Sequence, residues 1–422
     1  MARVIMILGV VVGSWSGLST SSQGQLLFGS FALAQTQETM TDPQTALNRL
    51  FTAESTDASW FTPEFLASVP TSRMDAILTG MKEDFGGFVA AQVEDIEGTM
   101  ELERAVVPVS ITLDGAGRIA GLLFQTPEPL GGDIAGIANR IAESGVGQTS
   151  ILVTYRSKTE TGEGAWRDHF AMGADEPMAV ASAFKLAVLR AYEDAIASGE
   201  MRRTDVIELV EADRSLPTGV LQTLRPGTPV TLETLAALMI QHSDNTATDA
   251  LIRVLGRERI EAISSRNRPF LTTAELFKLA SIGSETERGS YAAGDEAARR
   301  DILEVIADMD LPTLNKIRPR ATWQDVEWFL TARELCALLE TLQEAPALNG
   351  AEEPLIASEE WSWTGFKGGS EFGVLNLSAA ATTQDGRTVC VVITANGQET
   401  QPNDRLSLLF STLFRQLAKI PD

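Results

Sequence analysis

The sequence predicts an α+β protein in two parts. A small α+β domain with a curved antiparallel sheet comes first. A larger body follows, its antiparallel sheet assembled from both ends of its segment around a helical block. Three observations predict this. Residues 46–127 run from helical periodicity into a meander of strand-like runs. Residues 126–133, "TPEPLGGD", break both periodicities with Pro and Gly. Beyond them, strand-like runs near residue 150 and after residue 360 enclose a mostly helical middle.

The elements follow in order. "MARVIMILGVVVGSWSGLST" has one basic residue, Arg3, and then an apolar run too short and too rich in Gly and Ser for a membrane span. "FALAQTQ" offers small-residue cleavage after Ala34, so residues 1–34 read as a signal peptide. No cysteine lies nearby to carry a lipid. The expectation is an exported protein, periplasmic or secreted, with no stable membrane insertion after cleavage.

Residues 41–127 form the predicted first domain. Helices are expected at "TALNRLF" and "TSRMDAILTGMKEDF", and strands at "GFVAAQVED", "TMELERAVVPVSITLD" and "RIAGLLFQTP". "LDGAG" reads as the hairpin between the last two. Residues 128–133 are the expected linker. In residues 134–422, the helix "DIAGIANRIAES" leads into the strand "SILVTYRSK". Later strands fall at "SWTGFKGG", "GVLNLSAAATT" and "TVCVVITAN", before the amphipathic "DRLSLLFSTLFRQLAK". Two similar stretches, at 270–280 and 329–339, each hold a Thr-x-x-Glu capping box (Thr272/Glu275 and Thr331/Glu334).

Composition narrows the chemistry. The formal charge is −23, from 57 acidic against 34 basic residues, which opposes binding to nucleic acid and to anionic membranes. Cys336 and Cys390, flanked by apolar residues, read as buried small hydrophobes in preference to a bridge. With only His169 and His242 besides, no metal-ligand spacing appears, and neither metal nor cofactor is expected.

A serine nucleophile needs a base, and no Gly-x-Ser-x-Gly elbow or histidine partner is apparent. The alternative is lysine, whose pKa falls on desolvation or beside another cation. Of the seven lysines, Lys185 alone follows a serine, Ser182, by three residues, so one helical turn stacks them on a face. Alone, that spacing also fits a capping serine beside an exposed lysine. Ser243-Asp244-Asn245 lies between two amphipathic helices, where it can relay a proton and hold a carbonyl or amide, or simply cap a helix. Lys367 stands in a strand before Gly368 and Gly369, which admit close approach to the backbone or form a bulge.

Taken in this order, Ser182-x-x-Lys185, Ser243-Asp244-Asn245 and Lys367-Gly368-Gly369 resemble the three motifs of class A β-lactamases and penicillin-binding proteins. The stretch at 216–256 resembles class A enzymes throughout, and the likeness covers roughly residues 134–420. The leading domain suggests a two-domain subgroup with a cystatin- or isomerase-like (NTF2-like) domain in front. The resemblance implies a β-lactamase-like fold with Ser182 as the acylated nucleophile and Lys185 as its base or proton shuttle. It makes Ser243 the relay to the leaving group, Asn245 the holder of a substrate amide and Lys367 the source of local potential. The backbone N–H groups of Ser182 and Ser370 would form the oxyanion hole, with Gly368, Gly369 and Ser370 along the substrate.

Two departures matter. Gly368 stands where the third motif has Thr or Ser, removing a hydroxyl that helps bind a β-lactam carboxylate. The deacylating Glu-x-x-Leu-Asn is also absent. Its nearest echo, "LPTLN", begins with Leu311, and Asp310, Asp325 and Glu327 lack the spacing. The expectation is a serine hydrolase acting on an ester, amide or lactam through acyl-Ser182, with poor turnover of β-lactams. A D-Ala-D-Ala peptidase-type acyltransferase and a non-catalytic ligand-binding protein are the alternatives. The first two would take a small-molecule or peptidoglycan-like substrate.

Overall fold

The computed structural model describes residues 42–102, 104–129, 133–159, 162–317, 325–349, 355–356 and 361–419. The expected signal peptide lies outside them. The chain divides into two compact units, Met1–Gly131 and Gly132–Asp422.

In the first unit, α1 (Pro43–Thr52) and α2 (Pro63–Ser68) each begin with proline, capped by the side chains of Asp42 and Thr62. α3 (Thr71–Phe85) follows. The strands are β1 (Phe88–Glu94), β2 (Glu97–Leu102), β3 (Ala105–Leu113), β4 (Ile119–Phe124) and β5 (Glu128–Pro129). β1 to β4 pair antiparallel in sequence order, and β5 pairs with β3. Val107, Val109 and Ile111 of β3 are buried, and Phe51 of α1 stacks on Phe88 at 5.4 Å between centroids.

Two expectations change here. The run "TMELERAVVPVSITLD" is two strands, because the chain reverses next to Arg104. The Arg104 N–H donates to the Phe85 carbonyl (2.7 Å), and its guanidinium donates to the carbonyls of Glu83 and Asp84. The reversal is thus held by the carbonyls at the end of α3, a partner distant in sequence. Residues 128–129, expected in the linker, are instead β5.

The second unit opens with α4 (Ile134–Ser144), β6 (Gln148–Arg156), the short pair β7 (Lys158–Thr159) and β8 (Gly162–Glu163), then β9 (Arg167–Met172) and β10 (Met178–Ala179). The helical block holds α5 (Lys185–Ala197), the pair β11 (Val206–Glu208) and β12 (Pro229–Thr231), α6 (Leu232–Gln241), α7 (Asn245–Leu255) and α8 (Arg257–Ile263). It continues through α9 (Thr273–Ala280), α10 (Glu285–Ala293) and α11 (Glu296–Ala307) to β13 (Phe329–Leu330), α12 (Ala332–Thr341) and α13 (Pro346–Asn349). β14 (Trp361–Glu371), β15 (Val374–Thr383), β16 (Thr388–Asn396) and α14 (Asn403–Lys419) complete it.

The antiparallel sheet runs β14-β15-β16-β6-β9, so strands from both ends of the unit meet in it. One face packs Val391, Ile393 and Leu377 against α4 and α14. The other packs Leu152, Ala380 and Val392 against the helical block. Cover on both faces explains why β15 and β16 read as continuous apolar runs rather than alternating ones. Both predicted capping boxes form, at α9 and α12.

The cysteine expectation is corrected: Cys336 of α12 and Cys390 of β16 form a disulfide, with Cα atoms 6.0 Å apart. The apolar flanks place both in the core, and it is the packing of α12 on the sheet that brings them together.

Candidate active site

Ser182 lies in a 3-10 turn, Ala181–Phe184, that leads directly into α5. The chain enters it from β10, where the Val180 N–H donates to the Trp328 carbonyl at 3.0 Å. Ala181 takes a φ of 44°, a left-handed conformation uncommon for a residue with a Cβ. β14, the edge strand of the sheet, passes close by. A Cβ on Gly369 would stand 2.5 Å from the Ser182 nitrogen and 2.3 Å from the Val180 oxygen, so only glycine lets the strand approach this far.

Lys185, one turn on, is fully buried. Its Nζ lies 2.7 Å from Asn245 Oδ1, 2.7 Å from the Ser243 carbonyl, 3.1 Å from Ser243 Oγ and 3.4 Å from Ser182 Oγ. Burial holds this amine well below the ordinary lysine range. The nearby Lys367 charge pushes it the same way, against the carboxylates of Asp249, Asp244 and Glu371. A neutral lysine has two N–H groups. In that form the two shortest contacts would accept them and the lone pair would face the hydroxyls.

The second motif is held by its middle residue. The Asp244 carboxylate caps α7 at the Ala247 N–H (2.9 Å) and accepts from the N–H groups of Val220 (2.6 Å) and Leu221 (2.9 Å). Gly219, at φ 107°, makes room for it, since a Cβ there would stand 2.2 Å from its carboxyl carbon. With the loop fixed, Ser243 turns at φ 50° and points its Oγ at both lysines. Both ends of the Asn245 side chain are used inside the protein: Oδ1 accepts from Lys185, and Nδ2 donates to the Leu216 carbonyl at 3.0 Å.

Lys367 of β14 reaches Ser243 Oγ at 3.1 Å and the Gly368 carbonyl at 2.7 Å. Ser182, Lys185, Ser243, Asn245, Lys367 and Gly369 are therefore drawn to one place from a 3-10 turn, α5, a loop, α7 and β14. Gly368 packs differently: a Cβ on it would stand 3.0 Å from the Phe366 ring and 3.2 Å from the Asn376 carbonyl. The Ser370 side chain is exposed and accepts from Asn403 Nδ2 at 3.3 Å. Elsewhere, His169 stacks on Tyr155 at 4.2 Å in the sheet, and Asp168 pairs with Arg333.

Sequence reasoning passed over one pair of groups. Glu371 ends β14, and its carboxylate hydrogen-bonds the carboxyl of Glu327. Strand alternation was the available signal, because Lys367, Gly369 and Glu371 share one face of the strand. Glu327, discarded on spacing, accepts from the backbone N–H of Trp328 at 3.2 Å and from that of Ala181, the residue before Ser182.

Comparison with solved structures finds a beta-lactamase from Sphaerobacter thermophilus DSM 20745, 23% identical over 68% of this chain and 98% of that one, with a TM-score of 0.47. PBP-A is 15% identical over 67% and 96%, with a TM-score of 0.44. A beta-lactamase from Desulfarculus baarsii DSM 2075 is 19% identical over 69% and 100%, with a TM-score of 0.43. No curated protein matches the sequence. The model of one protein family, described as the beta-lactamase enzyme family, matches residues 134–358. That stretch holds Ser182, Lys185 and the Ser243-Asp244-Asn245 loop and stops short of Lys367. Because it spans more than half of the 422 residues, the chain belongs to the beta-lactamase enzyme family.

Proposed function

We propose that the protein is a serine hydrolase that works through an acyl ester on Ser182. The observation that carries this is the buried Lys185 amine, bonded at once to Ser182 Oγ, Ser243 Oγ and Asn245 Oδ1. Burial and the Lys367 charge favour the neutral amine, the form that can act as a base. In the acylation step, Ser182 Oγ passes its proton to Lys185 Nζ and adds to the substrate carbonyl carbon. The backbone N–H groups of Ser182 and Ser370 receive the oxyanion, each worth about 3 kcal/mol in such a role. The proton then travels from Lys185 through Ser243 Oγ to the leaving group as its bond to carbon breaks. Lys367, donating to Ser243 Oγ, keeps that hydroxyl oriented for the transfer. Asn245 Oδ1 holds Lys185, and its Nδ2 gives one N–H to the Leu216 carbonyl and keeps a second for a substrate amide.

The substrate class is an ester, amide or lactam. Gly368 supplies no hydroxyl for a β-lactam carboxylate, so nitrocefin should be a poor substrate beside an activated ester. Export is part of the same proposal, and the Cys336–Cys390 disulfide supports it, since such bonds persist in oxidising compartments.

Intact-mass spectrometry tests the reading. Wild type incubated with p-nitrophenyl acetate or penicillin G is expected to gain an acyl mass that Ser182→Ala does not. No adduct with either probe would overturn the reading in favour of a binding protein. Labelling by fluorescent penicillin with a persistent adduct, and no turnover of esters, would favour the D-Ala-D-Ala peptidase class.

A further inference from the structure

An acyl-serine has to be released, and the glutamate that the resemblance would supply for this is missing from its loop. The structure places two other carboxyl groups near the segments that flank Ser182, one at the N–H of Ala181 and one two residues beyond Gly369. Trp328 fixes the first. Its ring stacks on Phe184 with centroids 3.6 Å apart, its Nε1 donates to the Leu271 carbonyl, and its own carbonyl accepts from Val180. Glu327, the residue before it, is thereby pinned against the Ala181 N–H and is 6% exposed. The second comes from β14. Lys367 on one face of that strand touches Ser243 Oγ, and Gly369 lies against the Ser182 nitrogen. Glu371, next on the same face, meets Glu327 and is close enough to Lys185 for the two charges to interact. The Glu371 residue is half-buried, whereas Glu327 is buried.

We propose that Glu371, held in place by Glu327, is the base that activates water to release the acyl group from Ser182; this rests on the acyl-Ser182 reading above. Water adds to the acyl carbonyl carbon as Glu371 takes one of its protons. The tetrahedral oxyanion collapses, the bond from carbon to Ser182 Oγ breaks, and Glu371 returns the proton to that Oγ. The product leaves as the carboxylic acid, and both glutamates end as they began. Burial and the neighbouring Glu371 carboxylate keep Glu327 protonated well above the usual carboxylate range, so it donates to Glu371. Desolvation raises Glu371 to about 7, opposed by the Lys185 charge and by the hydrogen bond from Glu327. A base in that range changes state where it is used. Glu327 before β13 hydrogen-bonds Glu371 and Lys185 of α5 acts on it through its charge, while Lys367, Asp244 and Asp249 act on Lys185.

The test follows the acyl adduct on the full chain after a pulse of p-nitrophenyl acetate, by intact mass, with thermal melting to confirm folding. Glu371→Gln is expected to acquire the adduct and to lose it about 100-fold more slowly than wild type. Glu371→Asp, which keeps a carboxylate, should restore part of the rate and serves as the second variant if Glu371→Gln does not fold. In wild type, adduct loss should rise with pH through about 7 and then level off, because only the ionised Glu371 accepts a proton. Glu327→Leu removes the hydrogen bond that favours ionised Glu371. It should move that rise upward by about one pH unit, and Glu327→Gln, still a donor, should bring it back. An adduct that leaves Glu371→Gln at the wild-type rate would overturn the proposal and leave acyl-Ser182 standing. No adduct on wild type would overturn the acyl-serine reading itself, and this proposal with it.

Discussion

The two units are built from the same materials, helices packed with an antiparallel sheet, yet they bury different groups. Among the described residues of the first unit, the polar side chain that is buried is Thr62, which caps α2. The second unit buries Lys185, Lys367, Asp244, Asn245, Asp249 and Glu327 among others. An ionisable group taken from water costs several kcal/mol unless its partners are well placed. Every charge in that second set has such partners, and most of them are backbone groups or other members of the set. Packing explains the first unit. In the second, packing is arranged around a polar network, which points to chemistry there.

Three experiments can break or sharpen this contrast. The largest effect should come from Lys185→Met, which keeps the length of the side chain and removes the base. Adduct formation on Ser182, followed by intact mass, is expected to slow by about 10²–10⁴-fold. The melting temperature should fall only modestly, since the Ser243 carbonyl and Asn245 Oδ1 each lose a donor, at about 1–3 kcal/mol, while the buried space stays filled. A melting temperature that collapses with the rate would make Lys185 a structural residue and weaken the contrast.

Cys336→Ser comes next and acts on stability rather than chemistry. The disulfide spans 54 residues. Its removal is expected to lower unfolding stability by about 2–4 kcal/mol in denaturant titration without reducing agent. Unchanged stability would mean that the packing of α12 on β16 already holds the sheet to the helical block.

The smallest effect is expected from Thr62→Ala in the first unit. It removes the cap on the Phe65 N–H (3.2 Å) and should cost about 1 kcal/mol. Adduct formation should stay at the wild-type rate. A change in that rate would show that the first unit contributes to the reaction, contrary to the comparison of buried groups.

Much of the fold was legible because its signals are local. Short strand-like runs marked β6, β14, β15 and β16, and Thr-x-x-Glu marked the starts of α9 and α12 within one residue of where they fall. The three motifs were legible because each is short and their order is specific. Other features were hidden for one shared reason. The reversal at Arg104 depends on carbonyls at the end of α3, some twenty residues earlier. The Cys336–Cys390 bridge depends on how α12 lies on the sheet. Glu327 was set aside because spacing along the chain cannot register that Trp328 anchors beneath Phe184.

By itself, the sequence determined which residues could do chemistry: a serine one turn ahead of a lysine, a Ser-Asp-Asn turn between helices, and a lysine followed by glycines in a strand. Backbone geometry is enough for those, since periodicity sets which side chains share a face. Only the tertiary structure decided that Lys185 is dehydrated and turned toward two hydroxyls. It also decided that Asn245 Oδ1 accepts from that lysine, and that Glu371 meets Glu327. A pKa and a hydrogen-bond partner are properties of what surrounds a group, and the surroundings of Ser182 come from segments nearly 190 residues apart.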